Sequence, residues 1–150
     1  MSLSAQDLVG AWTFVDWTVT SPSGDVRRPF LPEPSGYIIY SADGVMSAMI
    51  QSGQRPCFPS DDIRKRPAQE KAQAFDGYFH YAGTWTVRAN AVVHHVTSAL
   101  NPNMIGSDQV RNVTLSGDDL ILSADEPLEG GRGMRHHVLT WRRHRKPEAT

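Results

Sequence analysis

Two pairs of adjacent histidines, His94-His95 and His136-His137, are the first residues of this chain to suggest chemistry. An imidazole titrates near neutrality, so it can move a proton, hold a polar ligand atom or bind a metal. Neighbouring side chains on a strand point to opposite faces, so neither pair can chelate one ion by itself. A strand-borne chelate wants His-x-His, and the chain has none. Parity instead selects one histidine from each pair. Leu139 and Trp141 read as interior positions, which sends Arg135 and His137 inward; Val92 and Val96 send His94 the same way. Two imidazoles with no third ligand make a poor zinc or iron site, so no metal is expected. His94 and His137 are left with three roles: a hydrogen-bonded structural group, a ligand-facing polar group or a general base.

Arg111 shares a strand face with Gln109, Val113 and Leu115. If that face is internal, a buried guanidinium needs an acceptor. A ligand anion would serve, as would Asp16 or Glu70 from the protein. Tyr37, Tyr40, Tyr78, Tyr81, Trp85 and Trp141, with Met46, Met49 and Met104, are aromatic or pliant side chains suited to lining an apolar cavity. Cys57 lies in a proline-bracketed loop with no catalytic sequence around it. There is no phosphate-cradling glycine loop, no Cys-x-x-Cys and no serine nucleophile elbow. Nucleotide-dependent chemistry has no support, and no cofactor is expected.

These residues need elements to position them, and most of the chain reads as strand. Val9–Thr20 is rich in aromatic and β-branched residues, with Trp12, Phe14 and Asp16 alternating against Thr13, Val15 and Trp17. Gly36–Ser41 and Val45–Gln51 flank Ala42-Asp43-Gly44, a strong hairpin signal. Arg27–Ser35, with three prolines, is irregular. Pro67 suits the start of a helix, and Ala68, Ala72, Phe75, Phe79 and Ala82 fall on one helical stripe, so a single helix is expected over about residues 67–82. Then period two returns in Thr84–Arg88, Val92–Ser98, Gln109–Ser116, Leu120–Ala124 and Met134–Arg142, separated by turn residues. Eight short strands, the last five an up-and-down run, remove their edges most simply by closing into an antiparallel barrel. A barrel of eight is just wide enough to hold one small ligand.

Composition agrees. The 150 residues are expected to form one domain, with 39% apolar and 21% charged residues and a formal net charge of −1. That balance supplies no field for nucleic acid or a membrane surface, and the basic run Arg142–Lys146 reads as a solvated terminus. The lone cysteine precludes an intrachain disulfide, and Met1–Gly10 has neither a basic start nor an apolar core, so a cytoplasmic protein is expected. Trp17, Phe30 and Phe58 are aromatics that could mark a homodimer surface or pack under the proline-rich loop.

Gly10-Ala11-Trp12 at the start of the first strand resembles the Gly-x-Trp of lipocalins, where the tryptophan plugs one barrel end. Further segments resemble the bacterial and fungal lipocalin-like domain family. They are Gly36-Tyr37 through Tyr40-Ser41-Ala42-Asp43-Gly44-Val45-Met46-Ser47-Ala48, Phe75-Asp76-Gly77-Tyr78 through Tyr81-Ala82-Gly83, and His94-His95-Val96 through Asn101-Pro102-Asn103 and Gly106 to Gln109-Val110-Arg111, closed by Leu139 to Trp141-Arg142-Arg143. The resemblance implies a mainly β, lipocalin-like barrel over nearly the whole chain and little about reaction.

Three functions fit. The leading one is binding of a small apolar or amphipathic metabolite in the barrel, with Arg111 and a histidine fixing its polar end. The second is a cofactor-independent isomerase or cyclase in which His94 or His137 moves a proton. The third is a haem-binding barrel with an inward histidine as axial ligand. The Gly-x-Trp-x-Gly-x-Gly that marks one such barrel type is absent, since Thr13, Phe14 and Val15 follow Trp12. The connection Asn101–Gly106 is long enough to fold over a barrel mouth.

Overall fold

The computed structural model describes residues 2–147, the Ile63 side chain excepted. A one-turn helix α1 (Ala5–Leu8) precedes β1 (Gly10–Thr20), β2 (Val26–Arg27), β3 (Ser35–Tyr40) and β4 (Val45–Gln51). Helix α2 (Ala68–Asp76) leads into β5 (Tyr78–Arg88), β6 (Ala91–Ala99), β7 (Asp108–Ser116), β8 (Asp119–Pro127) and β9 (Met134–Arg143). Every pairing is antiparallel, β3 through β9 run as a meander, and β1 joins both β3 and β9, so eight strands close into a barrel. The ninth, β2, is a two-residue flap on the end of β1, pairing Val19 with Arg27. The Asp43-Gly44 turn forms as its sequence demands: Gly44 takes a φ of 95°, and the Ser41 hydroxyl accepts from the Val45 amide.

The helix is shorter than the apolar stripe predicts. It ends at Asp76 with Gly77 as its cap, and Phe79 and Ala82 belong to β5. A glycine followed by Tyr-Phe-His-Tyr gives the chain a stop and then an aromatic run that pairs residue by residue with β4. Helical spacing of Phe79 and Ala82 with the residues before them is coincidental.

The first strand also departs from simple alternation. A β-bulge between Phe14 and Asp16 leaves Val15 as an extra residue, 43% exposed. Beyond it the parity flips. Trp17 therefore joins Trp12 and Phe14 on the inner side, while Asp16 turns outward and accepts from Arg28 Nε at 3.1 Å. Of the aromatics offered by the sequence as a dimer surface or as packing under the proline-rich loop, Trp17 and Phe30 pack edge-on to one another at 5.7 Å, and Phe58 lies under the Arg66 guanidinium.

One end of the barrel is solid. Trp12 and Leu8 are fully buried there, and the indole Nε1 donates to the Leu8 carbonyl at 3.0 Å. The Arg143 guanidinium lies 4.1 Å above the Trp12 ring while donating to the carbonyls of Val9 and Asp7. The supposed solvated basic terminus is thus partly spent on the fold: Arg142 and Arg145 likewise bind Asp119 and Asp118. Among the described residues no helix is long and apolar enough to cross a membrane.

Candidate functional site

The opposite end is open, and from it a cavity of about 550 Å³ runs down into the barrel. That volume lies in the range typical of small-molecule sites. Its apolar wall comes from alternate residues of many strands, among them Ile38, Ala48, Ile50, Phe79, Leu122 and Leu139. Trp17, Phe79 and His137 cluster near the mouth, and Asn101 and Met104 from the 3₁₀ turn Pro102–Met104 reach the same wall.

Of the residues singled out in the sequence, His94, Tyr81, Arg111, His137 and Trp141 line this cavity. Arg135 lines it too, so parity on β9 and β6 places the inward histidines where expected. Tyr40, Met46 and Trp85 also face inward, but they are packed into the solid end below the cavity; Trp85 Nε1 donates to the Ser41 carbonyl there. Tyr37, Tyr78 and Met49 lie on the alternate, outer positions of their strands. Tyr78 instead carries Arg55 over its ring. Cys57 is exposed outside the barrel.

Apart from tyrosine hydroxyls and tryptophan N–H groups, His94 carries the only polar side chain among the buried described residues, at 1% exposure. Its Nε2 lies 2.7 Å from the Tyr40 hydroxyl and its Nδ1 2.7 Å from the Tyr81 hydroxyl. Burial, and then the nearby Arg111 charge, lowers its pKa from 6.5 to about 3. The imidazole is therefore neutral at physiological pH. Burial likewise raises both phenols, with the Arg111 charge pulling the other way. Both ring nitrogens are spent on tyrosines, so an axial bond to haem iron would require breaking one of those contacts. A base holding its proton this weakly is also ill-matched to proton abstraction near pH 7.

His137 is engaged just as fully. Trp17 Nε1 can only donate, so His137 Nδ1 accepts from it at 3.2 Å. The ring proton then sits on Nε2, 2.7 Å from Glu126. Its outward neighbour His136 meets Asp125 at the same distance. Among the described residues no three His, Cys, Asp or Glu side chains converge as metal ligands would.

Arg111 has neither of the carboxylate partners suggested by the sequence. Asp16 is turned outward to Arg28, and no carboxylate among the described residues lies within 4.0 Å of the guanidinium. Its Nη1 donates to the Val110 carbonyl and its Nη2 to Gln109 Oε1, each at 3.1 Å. Sequence reasoning missed Trp17, hidden by the bulge, and Phe79, assigned to the helix. Counting back by twos from an inward Trp85 through Tyr81 would have found Phe79.

Comparison with known proteins supplies a second line. A family model described as a lipocalin-like domain matches residues 9–144. The 4'-hydroxy-3'-methoxypropiophenone carrier protein ppsC of Aspergillus oryzae is 32% identical over 106 residues, which span 65% of this chain and 96% of that protein. Among solved structures, the lipoprotein YedD of Klebsiella pneumoniae aligns with a TM-score of 0.43 at 10% identity, over 93% of this chain and 74% of that one.

Proposed function

The chain belongs to the lipocalin-like domain family, and from that premise we propose that it binds and carries a small, largely apolar molecule with one polar end. The observation that carries this reading is the single-mouthed cavity of about 550 Å³, apolar along its wall and polar at depth where His94, Tyr81 and Arg111 meet. Such a chamber removes an apolar body from water at roughly 25 cal/mol per Å² and uses its few polar groups to fix orientation. A relative named as the carrier of an aryl ketone supports the same class of cargo. The spent nitrogens of His94 and His137 favour holding over catalysis. An exposed Cys57 with no second cysteine suits reducing, cytoplasmic surroundings.

The test uses 4'-hydroxy-3'-methoxypropiophenone as a probe. Trp17 and Trp141 both line the cavity, so saturable quenching of tryptophan fluorescence with one-to-one stoichiometry is expected. Ala124→Trp places a bulky group on the cavity wall and is expected to abolish it. An unquenched titration, with no small molecule accompanying the purified protein in native mass spectra, would overturn the reading.

A further inference from the structure

Protons in the His94 cluster can be counted. Three are present, one on each tyrosine hydroxyl and one on the neutral imidazole, and only two hydrogen bonds join the three groups. One hydroxyl proton is left over, on whichever tyrosine accepts from the histidine. Tyr40 is wholly buried against Trp85, away from the cavity, and has no other hydrogen-bond partner among the described residues. A spare proton there would be a buried, unsatisfied donor. Tyr81 lines the cavity, where a guest or water can accept. Tyr40 therefore donates to Nε2, Nδ1–H donates to Tyr81, and the Tyr81 O–H is turned to the cavity.

The neighbours of that hydroxyl are also donors. Among the described residues Arg111 spends only two of its N–H groups on the protein and has no anion beside it. Gln109 turns its oxygen to Arg111, from which it accepts, and donates its amide nitrogen to Ser107. The charged groups of the other wall strands stand at the mouth. Asp125 and Glu126 on β8 are bound to His136 and His137 of β9, with Arg27 of β2 and Arg135 of β9 alongside. Beneath the mouth, the described side chains offer donors and the Arg111 charge, and no carboxylate among them balances it.

Resting on the carrier reading above, we propose that the cargo is held as an oxyanion, a phenolate, enolate or carboxylate oxygen seated between the Tyr81 hydroxyl and the Arg111 guanidinium. For a weakly acidic cargo the barrel selects the conjugate base. The O–H bond of the cargo breaks, its electron pair stays on oxygen and the proton passes to bulk buffer. Charge-assisted donors in a water-poor chamber favour that form over the neutral acid.

The experiment compares 4'-hydroxy-3'-methoxypropiophenone with its 4'-methyl ether, which keeps the apolar body and cannot ionise. Absorbance is read at a pH about one unit below the phenol's own pKa in water. The protein is expected to bring up the red-shifted phenolate band and lower the pKa of the bound phenol by at least about one unit, a tenfold preference for the anion. Affinities are compared about one unit above that pKa, where the free phenol is ionised: there a one-unit depression should make the ether bind about tenfold more weakly, against only about twofold at the lower pH. Arg111→Met should remove the band, and Tyr81→Phe should weaken it. If the phenol binds with its neutral spectrum, or the ether binds equally well, the oxyanion inference falls while the carrier reading stands. If neither compound binds, both fall.

Discussion

The proton order assigned to Tyr40, His94 and Tyr81 has a consequence in which one substitution changes sign with its background. In the parent protein, Tyr40→Phe leaves His94 Nε2 buried without a donor and is expected to cost about 1–2 kcal/mol. His94→Leu removes both hydrogen bonds and strands the Tyr40 hydroxyl in the solid end of the barrel. That is expected to cost about 3 kcal/mol, combining two lost bonds of about 1 kcal/mol each with an unsatisfied buried donor. Adding Tyr40→Phe to His94→Leu removes the stranded hydroxyl, so there it is expected to stabilise by about 1 kcal/mol. Tyr81→Phe in the His94→Leu background should be nearly neutral, because the Tyr81 hydroxyl reaches the cavity. Urea unfolding followed by tryptophan fluorescence, with unchanged slopes, measures each step of the cycle. If Tyr40→Phe destabilises both backgrounds equally, or Tyr81→Phe is the change that rescues, the assigned proton order is wrong.

Acid should find the same group. The His94 pKa is about 3 folded against 6.5 unfolded, so its contribution is fully present above pH 6.5 and is lost as pH falls towards 3. At pH 4.5 the parent should have lost about 2.5 kcal/mol through this group, a loss absent from His94→Leu; urea midpoints at pH 7 and 4.5 should therefore converge. Gly83→Ala would place a Cβ 1.8 Å from the His95 carbonyl across the β5–β6 pair, and should lower the thermal midpoint by roughly 10 °C or prevent folding. Arg143→Met gives up the ring contact over Trp12 and two carbonyl bonds, and should cost about 2–3 kcal/mol in urea while leaving the affinity for cavity probes unchanged.

The architecture was largely legible because a barrel wall obeys a local rule. Once Trp141 and Val96 are taken as interior, parity alone sends His137, Arg135 and His94 inward, and the Asp43-Gly44 turn fixes one hairpin register. Two local features defeated the rule. The bulge at Val15 inserts a residue that composition does not announce, and the stretch Ala68–Ala82 satisfies a helical spacing although its last third is strand. The chemistry of the site was less legible for a different reason. Tyr40, Tyr81 and His94 come from β3, β5 and β6, and β3 is not hydrogen-bonded to either of the others. Their meeting is a product of curvature and closure, so no spacing along the chain encodes it. The unpaired state of Arg111 was equally hidden, because it depends on which way Asp16 points.

That last dependence gives the bulge at Val15 a meaning beyond strand geometry. Strict alternation onward from Phe14 would turn the Asp16 carboxylate into the barrel and leave Trp17 outside. The chamber would then exchange an indole for a fixed negative charge, and a guest anion would face a resident competitor. A single slack residue in the first strand thus decides whether the Arg111 charge is neutralised from within or left for a guest to meet.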